Sequence, residues 1–119
     1  MKRLYIFAAL SIILLSACSK KDYYEVDEYE WMRTHEEGTV AYVDGYTGNY
    51  IVETFDGFSV IESRDGSIPQ KYDRAYAHFG SRGLQTIYNY HGNYFSTGRI
   101  VESWLSWSDA LYVLDRISY

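Results

Sequence analysis

The chain has 119 residues, enough for one domain with a packed core, and carries 11 basic and 16 acidic residues for a formal net charge of −5. This acidic balance argues against nucleic acid as a partner, because phosphate binding needs clustered lysine and arginine. Cys18 is the only cysteine, which excludes disulfide bonds within the chain and cysteine-based metal sites.

The first residues combine two basic residues, an apolar run and a pair of small residues before a cysteine. Lys2 and Arg3 precede an apolar run over residues 4–15. The last residue of this run begins the letters LSAC at positions 15–18. A helix over this run spans roughly 18 Å, well short of the hydrocarbon core of about 30 Å, so we interpret it as a signal and not as a permanent span. The four letters resemble the bacterial lipobox.

This resemblance implies that residues 1–17 are removed and that Cys18 becomes the acylated first residue of the mature protein. Small side chains at Ser16 and Ala17 leave room for the peptidase, and several acyl chains on Cys18 anchor a protein stably. Ser19, and not an aspartate, follows Cys18. This pattern resembles that of lipoproteins sorted to the outer membrane. We therefore expect a lipid-anchored envelope protein that faces the periplasm or the cell surface. The alternative is an ordinary secretory leader that is cut after Ala17.

Residues 18–37 form a predicted acidic tether after the lipidated cysteine. The chain from Cys18 onward keeps 9 basic and all 16 acidic residues, a formal charge of −7, and seven of the acids lie within residues 22–37. No regular hydrophobic period runs through this segment, although a helical turn is compatible with residues 26–33.

From Gly38 onward, short β-type runs alternate with turn residues, which is the pattern of an antiparallel meander or barrel. The 14 tyrosines support this prediction, because aromatic side chains favour strands and bury large areas. We expect residues 38–119 to be a mainly β domain, a small antiparallel barrel or curled sheet of about six strands with a C-terminal helix. The predicted strands are residues 39–44, 49–55, 58–63, 74–79, 84–90 and 97–104.

The strongest hairpin signal is the pair Asp56 and Gly57 between the second and third predicted strands. Both residues tolerate positive φ, as a type I′ turn requires, and such a turn pairs Phe55 with Phe58. Both faces of this hairpin carry apolar residues, so the pattern leaves open which face is inside.

The hydrophobic period changes near the end of the chain. Ser106 or Ser108 can cap a helix, and apolar residues recur at every third position from Leu111. We predict a helix over residues 107–117 that packs on the sheet.

The sequence shows no constellation typical of catalysis. His35, His78 and His91 lack the spacing of metal ligands, and a structural role is favoured for each. Nucleophile-elbow and phosphate-loop motifs do not occur. No catalytic residue, cofactor or metal is predicted.

Four aromatic residues at or near turns are candidates for ligand binding: Tyr46, Tyr90, Tyr94 and Trp104. Binding residues concentrate on loops, and tyrosine and tryptophan are favoured at interfaces. The alternative is that these rings fill a thin core while their polar groups reach water.

These features predict a non-enzymatic module, anchored to the membrane through Cys18, that binds an envelope protein or polysaccharide. One alternative is a small envelope hydrolase with His78 or His91 as the base, which requires the imidazole within reach of a carboxylate. The other is an inhibitor or immunity-type protein that acts by steric fit.

Overall fold

A computed structural model of the protein describes residues 27–119, in which six strands form a closed antiparallel barrel with two helices. The predicted small β barrel with a C-terminal helix is therefore confirmed. The lipobox-like residues 15–18 and residues 18–26 of the predicted tether lie outside the described residues, whereas residues 27–37 of that segment contain α1 and the start of β1. The elements are α1 (Glu28–Thr34), β1 (Glu36–Val43), β2 (Tyr50–Thr54), β3 (Gly57–Ser63), β4 (Arg74–Ala77), β5 (Gly83–Asn89), β6 (Tyr94–Leu105) and α2 (Trp107–Ser118).

The strands follow the order β1-β2-β3-β6-β5-β4 around the barrel, and β4 pairs with β1 to close it. Each of the six strands therefore has a neighbouring strand on both sides. Because every neighbouring pair is antiparallel, the loops at residues 44–49, 64–73 and 90–93 lie at one end, which we call the upper end. The β2–β3 turn and residues 78–82 lie at the opposite, lower end.

Helix α1 precedes the barrel. The Asp27 side chain caps it by accepting a hydrogen bond of 3.0 Å from the backbone N–H of Tyr29, and the chain becomes extended at His35. Strand β1 begins at Glu36, two residues before the predicted start of the β domain. Neither helix within residues 27–119 has the length and apolar character needed to cross a bilayer.

Side chains fill the inside of the barrel, and small residues let them fit. A Cβ on Gly98 would lie 2.6 Å from Cγ2 of Ile61, and one on Gly38 would overlap the side chain of Val52. Side chains of the described strands therefore pack closely at these positions in the interior. The interior cluster consists of Val40, Tyr50, Val52, Ile61, Ala75, Ala77, Phe79, Ile87 and Ile100.

The β2–β3 hairpin differs from the predicted register by two residues. Thr54 pairs with Gly57, so Phe55 and Asp56 form the turn, and Phe55 is fully exposed instead of lying opposite Phe58. The Thr54 hydroxyl donates to the carbonyl of Gly57 at 3.0 Å and accepts from the N–H of Asp56 at 3.2 Å. This side chain satisfies the polar groups of the turn, and only Gly57 takes a positive φ, of 132°.

The structure also shows which face of the hairpin is inside. Val52 and Ile61 point into the barrel, whereas Ile51 and Val60 point outward and are covered by α2. The Ser106 side chain caps this helix by accepting a hydrogen bond of 3.2 Å from the N–H of Asp109. Both faces are apolar because both are buried. The α2 residues buried against the barrel are Ala110, Val113 and Leu114.

Candidate functional site at the upper end of the barrel

The three loops of the upper end present exposed aromatic rings. Tyr46 is 93% exposed, Tyr72 is 70% exposed and Tyr90 is 39% exposed, while Tyr94 is half-buried. Three of the four aromatic residues predicted to bind a ligand, Tyr46, Tyr90 and Tyr94, thus lie at one end of the molecule.

The fourth predicted residue, Trp104, lies at the lower end and does not join them. Strand β6 is 12 residues long and runs the height of the barrel, which separates Trp104 from Tyr94 at its start. Trp104 has a positive φ of 58° and an indole that covers Gly80, where a Cβ would lie 2.9 Å from the ring.

A buried carboxylate joins two of the upper loops. Asp73, only 3% exposed, accepts hydrogen bonds from the backbone N–H of His91 at 2.8 Å and of Gly92 at 3.3 Å. Its Oδ1 also lies 3.2 Å from Nδ1 of His91, whose side chain remains 61% exposed. The carboxylate therefore holds the turn at residues 90–93 and orients an imidazole that solvent can reach.

Tyr72, beside this carboxylate, has an unusual backbone conformation. Its φ of 75° lies in the left-handed region, which is rare for a bulky residue and costs about 1–3 kcal/mol. Hydrogen bonds to β1 hold it there, from Tyr72 N–H to the carbonyl of Val40 at 2.7 Å and from Val40 N–H to the carbonyl of Asp73 at 2.9 Å. The barrel thus enforces a strained position for an exposed ring.

These groups line a cleft of about 210 Å³, formed by Gln70, Lys71, Tyr72, Asp73 and His91. The ammonium of Lys71 lies 5.1 Å from the centroid of the Tyr72 ring. The cleft therefore combines an aromatic face with hydrogen-bonding groups.

Tyr90 stands next to the cleft and is held from two sides. The Arg74 guanidinium lies 4.5 Å from the centroid of its ring, and the His91 ring meets it edge-on with centroids 5.4 Å apart. A ring fixed in this way loses little freedom when it binds a partner.

A layer of buried polar groups lies at this end of the barrel interior. Ser96 donates to Oδ1 of Asn89 at 3.0 Å, and Tyr50 is buried at the same end. Burial raises the pKa of Tyr50, so its phenol stays neutral.

The other two histidines pack near the lower end of β1. The rings of His35 and His78 have centroids 4.2 Å apart, and His35 stacks on Trp31 at 3.8 Å. Of the three imidazoles, only that of His91 has a carboxylate contact among residues 27–119. Within the same residues, no three His, Cys, Asp or Glu side chains are grouped as metal ligands.

Tyr72 and Asp73 were not among the residues predicted from the sequence. A signal was available, because both follow Pro69 in the longest loop of the β domain, where binding residues concentrate. No protein-family model matches the chain, and neither a curated protein nor a solved structure matches it. Any inference about function therefore depends on the geometry of the site.

Proposed function

We propose that the protein is a lipid-anchored module of the bacterial cell envelope that binds an envelope protein or polysaccharide through its upper end, without catalysing a reaction. The observation that carries this proposal is the strained, exposed Tyr72 next to the buried Asp73 that orients His91. Backbone strain persists where the surrounding structure enforces it, and such positions cluster at functional sites.

The chemistry of the upper end suits a partner with both apolar and polar surface. The rings of Tyr46, Tyr72 and Tyr90 offer flat faces, and Gln70 and His91 offer hydrogen-bonding groups. Aromatic residues surrounded by polar groups are typical of recognition surfaces. The hydrogen bonds that tie the loops to the barrel reduce the entropy that such a surface loses on binding.

The anchor part of the proposal depends on the lipobox-like residues 15–18. Acylation of Cys18 would hold the module at a bilayer and limit its partners to the envelope. Palmitate should label the protein in cells, and a Cys18→Ser form should appear in the soluble fraction. A Cys18→Ser form that stayed equally membrane-bound would contradict the anchor.

The binding proposal is tested by substituting the aromatic rings of the upper end. A Tyr72→Ala and Tyr90→Ala double variant should lose the partners that chemical crosslinking recovers from intact cells, and should no longer sediment with purified envelope polysaccharide. Tyr112→Ala is the matched control, because Tyr112 is 67% exposed on α2, outside the upper end. Trp104→Ala tests the lower end in the same way.

The expected result is loss in the double variant and retention in both controls, with unchanged circular dichroism in all forms. Equal recovery with the double variant would refute the upper-end surface. Loss in Trp104→Ala alone would move the site to the lower end and also contradict the proposal.

The contact between His91 and Asp73 favours one second candidate, a small envelope hydrolase. In that case Asp73 would orient the ring and His91 would act as general base toward water, since no hydroxyl within residues 27–119 is hydrogen-bonded to His91. Mass spectrometry of cell-wall fragments after incubation with the protein should then reveal cleavage products, which His91→Gln abolishes. Under our proposal the wild-type protein releases none.

A further inference from the structure

A second cavity lies between β1 and α2, and it shares no residue with the cleft described above. Its volume is about 290 Å³, near the lower limit of small-molecule pockets. We call it the helix groove. Its lining includes leucines Leu111 and Leu114, tyrosines Tyr42 and Tyr119, and aspartates Asp44 and Asp115.

The floor of the helix groove is apolar and comes from one face of α2. Leu111, Leu114 and Asp115 are spaced i, i+3 and i+4, so their side chains lie on the same side of the helix. Leu114 is buried and Leu111 is half-buried against the outer cluster of the barrel. The neighbouring basic residue, Arg116, is not part of the groove lining. Its guanidinium lies 6.0 Å from the centroid of the Tyr112 ring.

Hydrogen bonds hold one carboxylate and one aromatic wall in place. Thr47 donates to Oδ2 of Asp44 from its hydroxyl at 2.5 Å and from its backbone N–H at 3.2 Å. The side-chain hydrogen bond is the main reason why the pKa of Asp44 lies below its usual value. The Tyr119 hydroxyl donates to Oδ1 of Asp44 at 2.9 Å, which raises the pKa of Tyr119 and fixes its ring.

The second carboxylate, Asp115, is exposed and differs from Asp44 in its contacts. Within residues 27–119 its side chain makes no salt bridge and accepts no hydrogen bond from a protein group. The helix groove therefore carries two anionic groups, and no Lys, Arg or His lies among the residues that line it.

We propose that the helix groove binds an alkylammonium ion, with its carbon chain on Leu111 and Leu114 and its ammonium group toward Asp44 and Asp115. Tyrosine faces attract cations, and carboxylates add to that attraction. An anion would be repelled by both aspartates, and a neutral apolar ligand would partly desolvate them without compensation.

The proposal is tested with three probes of equal chain length: protonated pentylamine, pentanol and pentanoate. Each is titrated into the isotopically labelled protein at pH 7 while the methyl resonances of Leu111 and Leu114 are followed by NMR. Pentylamine should cause saturable shifts at these methyls that weaken as salt is added, because salt screens exposed charges. Pentanol should bind more weakly, and pentanoate should not bind.

The matched variants are Asp115→Asn and Asp109→Asn, two exposed acids on the same helix of which only Asp115 lines the groove. Asp115→Asn should weaken pentylamine binding about two- to five-fold, the effect of an exposed charge pair, and Asp109→Asn should leave it unchanged. Equal binding of pentanol, an equal loss in both variants, or shifts that never saturate would each overturn the proposal. None of these outcomes depends on the upper-end cleft.

Discussion

Two parts of the outer barrel surface are covered by helices, and they are covered in different ways. Under α2, the outward residues Ile51 and Val60 meet aliphatic side chains of a helix of 12 residues. The outward residues Tyr76, Tyr88 and Phe95 contact one another. Helix α1, of 7 residues, covers this group through Trp31, which contacts the Phe95 ring and the Tyr76 carbonyl. We call these the aliphatic face and the aromatic face.

The aromatic face depends on directional contacts. The indole N–H of Trp31 donates to the carbonyl of Tyr76 at 2.8 Å, and its ring meets Phe95 edge-on with centroids 5.4 Å apart. The hydroxyl of Tyr76 donates to Glu37 at 2.9 Å, and burial, followed by that hydrogen bond, raises the pKa of Tyr76. Helix α1 buries none of its own residues fully.

The two helices therefore contribute differently to the stability of the fold. The aliphatic face buries area without direction, so α2 and the barrel should unfold as one unit. The aromatic face is held chiefly through Trp31, so α1 should open locally while the barrel stays intact.

The largest effect is expected from the aliphatic face. Ile51→Ala should lower the free energy of unfolding by about 2–5 kcal/mol, because it leaves a cavity between β2 and α2. Urea denaturation followed by circular dichroism measures this loss. Leu84→Ala, at a position 66% exposed, is the control and should change stability by less than about 0.5 kcal/mol. A similar loss of stability in both variants would show that burial of Ile51 under α2 does not stabilise the fold more than an exposed residue does.

Trp31→Ala should act next most strongly and only locally. It removes one hydrogen bond and two aromatic contacts, roughly 1–3 kcal/mol of α1 docking. Hydrogen exchange should then show α1 amides losing protection while β-strand amides keep theirs. Tyr29→Ala, at an exposed position on the same helix, should leave protection unchanged. Loss of protection throughout the barrel would show that α1 is integral to it.

Tyr76→Phe should have a smaller effect on the aromatic face. It keeps the ring and removes the hydroxyl that donates to Glu37, for a loss of about 0.5–1.5 kcal/mol in the free energy of unfolding. Tyr46→Phe is the control, because Tyr46 is almost fully exposed. Indistinguishable stabilities would indicate that ring burial alone stabilises this face.

The smallest effect is expected at Glu62, on the same outer face of β3 as Val60. Hydrogen bonds from Arg99 at 2.9 Å and Arg64 at 3.2 Å hold the pKa of Glu62 below its usual value of 4.5. The unfolded chain therefore binds more protons, so this stabilisation is present above pH 4.5 and disappears as the pH falls through the folded pKa. Glu62→Gln should remove it, by less than about 1 kcal/mol.

The pKa of Glu36, at the start of β1, is shifted in the opposite direction to that of Glu62. Burial, with the nearby charge of Asp56, raises its pKa above 4.5, so the folded state holds its proton more tightly. Glu36→Gln should slightly increase stability at pH 7, and that gain should vanish as the pH falls below 4.5. Denaturation midpoints measured from pH 3 to 7 test both signs, and equal pH profiles for the two variants would contradict them.

Much of the fold follows from local patterns in the sequence. Alternation of apolar residues, turn residues between the runs and the change of period before Leu111 predict six strands and a terminal helix. The helix cap at Ser106 was one of two candidates named from the sequence, and the structure selects it. Such features depend on residues close together in the chain, so they can be recognised without the tertiary structure.

Tertiary contacts decided the rest. A hairpin that is apolar on both faces has no preferred inside until α2 covers Ile51 and Val60, and the Thr54 side chain set a register that the Asp-Gly pattern did not predict. The candidate site depends on Asp73 meeting His91 across two loops, a contact that exists only once the barrel closes. The sequence determined which segments become strands and helices, because that choice is local. Only the closed barrel decided which side chains meet, because pairing between distant strands sets their positions.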